Sequence, residues 1–174
     1  RADRMLLVNG VSKAYAMTGW RIGYAAGPRA AMSAAAAVQS HTTSGPNSIA
    51  QRAALAALRL PAEAVAGMVR RFDERRRVFW KGLSALPGVQ CLEPEGAFYA
   101  WADVADLAAR AGCADAATGG AATLCNRWLE ELHVVGVPGA AFGEARAVRF
   151  SYALDVPVLE DALGRIRAWI GRNA

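Results

Sequence analysis

Asn9 to Tyr24 reads NGVSKAYAMTGWRIGY, flanked by the apolar runs Met5 to Val8 (MLLV) and Trp20 to Ala26 (WRIGYAA), the second ended by Gly27-Pro28. Short apolar runs bounded by turn residues read as fully buried strands of a parallel sheet. Polar residues are confined to the loop between the runs and to its edges. Lys13 lies in that loop, an unusual place for a side chain that prefers solvent. The carboxyl end of a sheet strand is also where α/β folds place ligands. Burial there would favour the neutral amine, the form that attacks an aldehyde. Ser12 adds a hydroxyl beside it, and Arg21, eight positions on, offers a planar bidentate fork suited to phosphate.

Working outward, the alanine-rich stretch from Pro28 to about Gln39 is expected to be helical, and HTTSGPN (His41 to Asn47) has turn chemistry. A helical pattern resumes from Ser48 to Leu60. Pro61 suits a first helical position. From it one long amphipathic helix runs to Leu86, with Val65, Met68, Val69, Phe72, Val78, Phe79 and Leu83 apolar. A helix of that length often bridges two lobes, which places a domain boundary near its start and gives domains 1–60 and 61–174. Beyond it, strands are expected at Val89 to Leu92, Ala97 to Val104, Val134 to Val137 and Val148 to Tyr152. Helices are expected at Ala121 to Leu132 and Pro157 to Ile170. This mixture suggests a small α+β lobe. Ala105 to Gly120 reads as a small-residue loop without assignable structure.

Bulk properties exclude several classes. The chain of 174 residues is 54% hydrophobic, too apolar for disorder, yet no apolar run approaches the ~20 residues of a spanning helix. No basic-then-apolar leader is visible, so a cytoplasmic location without a membrane partner is expected. The net charge of +5 comes mostly from arginine, concentrated at Arg70 to Arg77 as RRFDERRR. Asp73 and Glu74 interrupt that run, which reads as a solvated helix face with local ion pairs, not as a nucleic-acid contact. Cys91, Cys113 and Cys125 match neither a metal spacing nor a disulfide framework, and His41 and His133 are too far apart for a metal cluster.

Spacing alone leaves Lys13 and Arg21 open between two readings: an anchor for pyridoxal 5′-phosphate (PLP), or a loop lysine and a strand-edge arginine on the surface. The exact string is more specific. S-K-x-x-x-M-T-G-W-R-x-G-Y resembles the PLP-lysine signature of class I (aspartate/aromatic-type) PLP-dependent aminotransferases of fold type I. GWRIGYAAGP, TTSGPNSIAQ, PEGAFYAW, GVPGAAFG and VRFSYA resemble further landmarks of that family, in its order. The resemblance implies an α/β fold: a remnant of the three-layer PLP-binding large domain, followed by a small α+β C-terminal domain.

Carried over by that resemblance, Lys13 is the catalytic lysine that holds PLP as an imine and moves the proton at the substrate Cα. Arg21 pairs with the cofactor phosphate, and Ser12 neighbours it. Many relatives carry a serine three positions before the lysine. Here Gly10 stands there, so one familiar phosphate contact is missing. Arg149 resembles the arginine that grips the substrate α-carboxylate, which fixes the Cα bond that breaks; its bland alternative is an exposed edge arginine. Thr43, Ser44 and Asn47 resemble a turn that reaches a dimer partner's cofactor phosphate, or else form an ordinary turn with a helix N-cap. Gly96 and Phe98 resemble a small-domain element near the substrate. Gly139 and Gly143 read as permissive backbone positions, and Trp20, Trp80, Trp101 and Trp128 as core or lobe-boundary aromatics.

Relatives run to roughly twice this length with the lysine past their middle, so the resemblance implies a C-terminal portion, inactive alone. The remainder would carry the Asp that protonates the pyridine nitrogen, and the two N-terminal strands would present an exposed sheet edge. The implied activity transfers the amino group of an L-amino acid to a 2-oxo acid in a homodimer. Alternatives are another fold type I reaction, such as a β-lyase or synthase, or an aminotransferase-like effector domain of a transcription regulator.

Overall fold

The computed structural model describes residues 2–114 and 119–174. It divides into two compact units, Arg1–Met68 and Val69–Ala174, the division falling inside the longest helix.

In the first unit, β1 (Leu7–Gly10) pairs with β2 (Gly23–Ala26) in register from Leu7↔Ala26 to Gly10↔Gly23. The pair is antiparallel, not parallel as the sequence suggested. Residues 11–22 turn the chain straight back without a crossover helix, and a direct return of that kind produces an antiparallel pair. Both strands are exposed rather than buried; β1 is shifted two residues past its apolar run, and β2 is shorter than its own. Met5, Leu6, Leu7 and Val8 all lie open, giving the exposed apolar edge expected of a sheet with few partners. Two helices follow, α1 (Arg29–Thr42), which buries no residue of its own, and α2 (Ser48–Leu58). α2 buries Ala50, Ala54 and Ala57, one stripe at helical spacing. Against Ala54 and Ala57 pack Val11 and Met17 of the β1–β2 connection, with Tyr15 and Ile22 at the margin.

The long helix α3 (Ala62–Ser84) leads into the second unit, where Phe79 and Leu83 enter the core. Its arginine run behaves as a solvated face: Asp73 pairs with Arg76 at i,i+3 and with Arg77 at i,i+4. Four strands form an antiparallel sheet in the order β3 (Gln90–Cys91), β4 (Tyr99–Asp103), β6 (Ala147–Ser151), β5 (Val137–Pro138). Along β4 and β6, Ala100, Ala102, Val148 and Phe150 are buried while Tyr99, Trp101, Asp103, Arg149 and Ser151 stand on the more open face. α5 (Ala121–Leu132) and α6 (Val156–Asn173) cover the buried face with Leu124, Trp128, Leu159, Ile166 and Trp169. Trp128 meets Trp169 edge-on at 6.3 Å. Each large apolar side chain fully buried here contributes on the order of 2 kcal/mol. Where sequence suggested only loop, α4 (Ala105–Arg110) forms, with Leu107 and Ala108 buried; residues 115–118 of that segment lie outside the described residues. Trp128 is core, whereas Trp20 and Trp101 are exposed. No helix among the described residues is long and apolar enough to cross a membrane.

Candidate active site

The loop that carries Lys13 is pinned by its apolar residues. Val11 is 1% exposed and Met17 is also buried, so the turn between them presents Ser12 and Lys13 away from the small core. Backbone bonds tighten the turn: the N–H groups of Tyr15, Ala16 and Met17 donate to the carbonyls of Val11, Lys13 and Ser12. Lys13 is exposed. The shielding expected for a lysine between two buried strands is therefore not supplied within this unit, because the strands themselves are open.

Two non-glycine residues of this loop hold left-handed backbone, Ala16 at φ 53° and Arg21 at φ 49°. Such conformations cost roughly 1–2 kcal/mol each and cluster where side-chain aim is functional. Arg21 ends a short helical turn (Thr18–Trp20), and its guanidinium donates to the Thr18 carbonyl at 3.2 Å. It lies on an open depression of about 620 Å³ shared with Trp20, Asn47 and Ile49. Among the described residues, Arg21 has no carboxylate partner.

Asn47 caps α2, its side-chain oxygen accepting from the N–H groups of Ile49 and Ala50 at 2.9 and 3.0 Å. The ordinary reading of that residue, a helix cap, thus describes its contacts in this chain. Thr43 closes α1 by donating its N–H to the Gln39 carbonyl, and Ser44 follows at φ 62°. Both are exposed. The first unit therefore brings Arg21 and the Asn47 turn to one depression, while Lys13, Ser12, Thr43 and Ser44 stand exposed or half-exposed near its ends in sequence.

In the second unit, Arg149 lies on the open face of β6, directly opposite Trp101 in register. Its guanidinium carbon stacks over two rings, 4.3 Å from the Tyr99 centroid and 4.4 Å from that of Phe142. No described carboxylate pairs with it. Asp103, on the same face of β4, is already engaged: it accepts from Arg146 at 2.5 Å and from the Ala105 N–H at 2.9 Å. Among the described residues, Arg149 is thus held by its two ring contacts, with no carboxylate on its planar donor edge.

Phe142 reaches Arg149 because the turn Gly139–Phe142 is unusually tight. A Cβ on Gly139 would overlap the carbonyls of Glu144 and Ala147, and Gly143 ends the turn at φ 88°. Both glycines thus serve as the permissive backbone positions expected of them. On the other side, Ala97 holds φ 59° immediately before Phe98 and Tyr99, and the buried Tyr152 hydroxyl lies 3.3 Å from the carbonyls of both Gly96 and Ala97. Burial pushes that phenol above its ordinary pKa. Sequence reading passed over Tyr99, Phe142 and Tyr152. The signal for Tyr99 and Phe142 was the aromatic content of the PEGAFYAW and GVPGAAFG segments, and that for Tyr152 lay in VRFSYA, but only the tertiary structure shows that the first two rings meet one arginine.

Comparison with known proteins follows the same residues. A family model described as aminotransferase class I and II matches residues 1–166. An aspartate aminotransferase of Rhizobium meliloti is 47% identical over 95% of this chain and 40% of its own length. That of Geobacillus stearothermophilus is 43% identical over 97% of this chain and 42% of its own. Among solved structures, the aspartate aminotransferase of Rhizobium meliloti superposes with a TM-score of 0.90 at 43% identity, over 99% of this chain and 43% of that one. An aromatic aminotransferase of Pyrococcus horikoshii gives 0.87 at 32% identity, over 98% of this chain and 44% of that one. The chain spans about two fifths of the length of the relatives it matches. It belongs to the aminotransferase class I and II family and carries part of the fold type I architecture.

Proposed function

We propose that this chain is the lysine-bearing portion of a PLP-dependent aminotransferase that moves the amino group of an L-amino acid to a 2-oxo acid. The observation that carries the reading is the state of two arginines. Arg21 and Arg149 both keep their guanidinium groups accessible and free of described carboxylates. Seven other arginines, Arg75, Arg76, Arg77, Arg110, Arg127, Arg146 and Arg165, carry ion pairs, and Arg21 and Arg149 differ from the remaining described arginines in placement: Arg21 lies on the depression with Trp20 and Asn47, and Arg149 is stacked on Tyr99 and Phe142. Unpaired planar forks suit a phosphate and a carboxylate, the two anionic ends that such a reaction must hold.

The residues fit the cofactor at its two reactive ends. Arg21, with Ser12, would hold the phosphate, Thr43 and Ser44 would reach the cofactor phosphate of a dimer partner, and the exposed amine of Lys13 would bond the aldehyde carbon. When bound, PLP supplies an electron sink for charge developing at the substrate Cα. Lys13 is then the base that takes the Cα proton, and Arg149 fixes the α-carboxylate so that the breaking bond is held in one orientation. The acid that the ring nitrogen needs lies, on this proposal, outside these 174 residues. Residues 1–60 belong to the large cofactor domain and 61–174 to the small domain, in a cytoplasmic homodimer. The relatives' names favour aspartate as the amino donor.

The test is amino transfer by the full-length protein, with L-aspartate and 2-oxoglutarate as substrates and Lys13→Ala as the control. Transfer lost in the variant supports the proposal. Elimination products in place of a new amino acid would favour the β-lyase alternative instead.

A further inference from the structure

We propose that Tyr99 and Phe142 are positioning residues that hold the Arg149 guanidinium in one plane before substrate arrives, and so set the affinity for the substrate carboxylate. The inference rests on the reading of Arg149 as the carboxylate-binding residue.

A solvent-exposed arginine samples many rotamers, and ordering it on binding costs affinity by roughly tenfold or more. Proteins commonly order an arginine with a carboxylate, as Asp103 does here for Arg146 and Glu131 for Arg127. That device occupies the in-plane N–H donors, which are the groups a substrate carboxylate needs. Arg149 is ordered in a different way. Its guanidinium carbon lies over two rings, 4.3 Å from the Tyr99 centroid and 4.4 Å from that of Phe142. Stacking of this kind is attractive to a cation and uses none of its hydrogen-bond donors. The guanidinium faces are weakly hydrated, so covering them loses little solvation.

The two rings arrive from opposite flanks of the sheet face and are themselves fixed. Tyr99 stands on β4, diagonal to Arg149 across the β4–β6 ladder, with Ser151 as its direct partner. It follows the left-handed Ala97, whose carbonyl faces the Tyr152 hydroxyl, and contacts Phe98 at 4.3 Å. Phe142 comes from the Gly139–Phe142 turn and meets Trp101 edge-on at 5.8 Å. Phe142 is 50% exposed. Within the second unit its ring contacts are with Trp101 and Arg149, so it is the stacking on Arg149, not the hydrophobic core, that uses this side chain there.

The experiment uses the full-length, PLP-loaded protein. Binding of maleate, a dicarboxylate that cannot undergo transfer, is followed by calorimetry in Tyr99→Leu, Phe142→Leu, the double variant, Tyr99→Phe, Phe142→Tyr and Arg149→Met. Each leucine variant is expected to weaken maleate by roughly threefold to tenfold. The double variant should be weakened further, and the aromatic replacements should bind as the parent does. The cofactor absorbance and unfolding midpoint should stay unchanged in all of them. Parent-like affinity in both leucine variants, with Arg149→Met defective, overturns the positioning role and leaves Arg149 in its own. Parent-like affinity in Arg149→Met overturns the carboxylate reading and this proposal with it. Loss of maleate binding in Tyr99→Phe or Phe142→Tyr also overturns the proposal, since the stacking faces are then retained without effect.

Discussion

The hydroxyl of Tyr152 lies 3.3 Å from the carbonyl oxygen of Ala97 and ties the core of the second unit to a left-handed residue in the turn before β4. Tyr152 is 1% exposed, and its own N–H donates to the Phe98 carbonyl at 3.0 Å, so one buried residue grips the turn at two points. The turn in turn launches Phe98 and Tyr99. Stored backbone strain of this kind persists only where surrounding contacts over-determine it.

That strain is measurable. Replacing Ala97 by Gly removes a Cβ penalty of about 1–2 kcal/mol and adds an unfolded-state entropy cost of about 0.5–1 kcal/mol. Ala97→Gly should therefore stabilise the protein slightly, by roughly 0.5 kcal/mol in urea titration. Tyr152→Phe should cost about 1 kcal/mol, because it removes the hydrogen bond that the buried hydroxyl shares between the Gly96 and Ala97 carbonyls. A clear loss of stability in Ala97→Gly would show that the left-handed residue carries no strain.

The charge and shape of Arg149 should both be needed. Arg149→Lys keeps the positive charge but loses the bidentate fork, so amino-acid KM should rise by about 10- to 100-fold. The cofactor band should be unaffected. The check is a steady-state comparison with the spectrum recorded on the same samples. An unchanged KM would remove Arg149 from the substrate site.

Glu131 gives the second unit an acid-sensitive contact. Hydrogen bonds from Arg127 and from the Trp169 indole, the latter at 2.6 Å, hold its carboxyl below the ordinary glutamate range. A group whose folded pKa is depressed binds fewer protons folded than unfolded, so its stabilisation is present above the unfolded pKa and lost as pH falls through the folded one. Unfolding midpoints should therefore drop below pH ~4.5 more steeply in the parent than in Glu131→Gln, which still accepts from Trp169 but cannot titrate. Parallel curves for the two proteins would contradict this assignment.

Much of the second unit was legible in the sequence because its helices are amphipathic at the right period. Ala121, Leu124, Cys125, Trp128 and Leu132 form one buried stripe of Ala121–Leu132, and the helix has the bounds its pattern gives. The antiparallel arrangement of β1 and β2 was not legible. A continuous apolar run does not encode strand direction, and the return path depends on a left-handed Ala16 and Arg21 that no glycine announces. The site divides the same way. Lys13, Arg21 and Arg149 could be named from a motif. Tyr99 and Phe142 became partners of Arg149 only through strand register and a glycine-dependent turn, both tertiary properties.

The chain contains two lysines, Lys13 and Lys81, and this makes the central claim directly testable. Lys81 lies in the last turn of α3, where a cation is favoured by the helix dipole and needs no other role. The full-length protein is loaded with PLP, reduced with borohydride, digested and mapped by mass spectrometry. The pyridoxyl label is expected on Lys13, with none on Lys81. A label on Lys81 or on a lysine elsewhere in the protein, with Lys13 unmodified, would contradict the account.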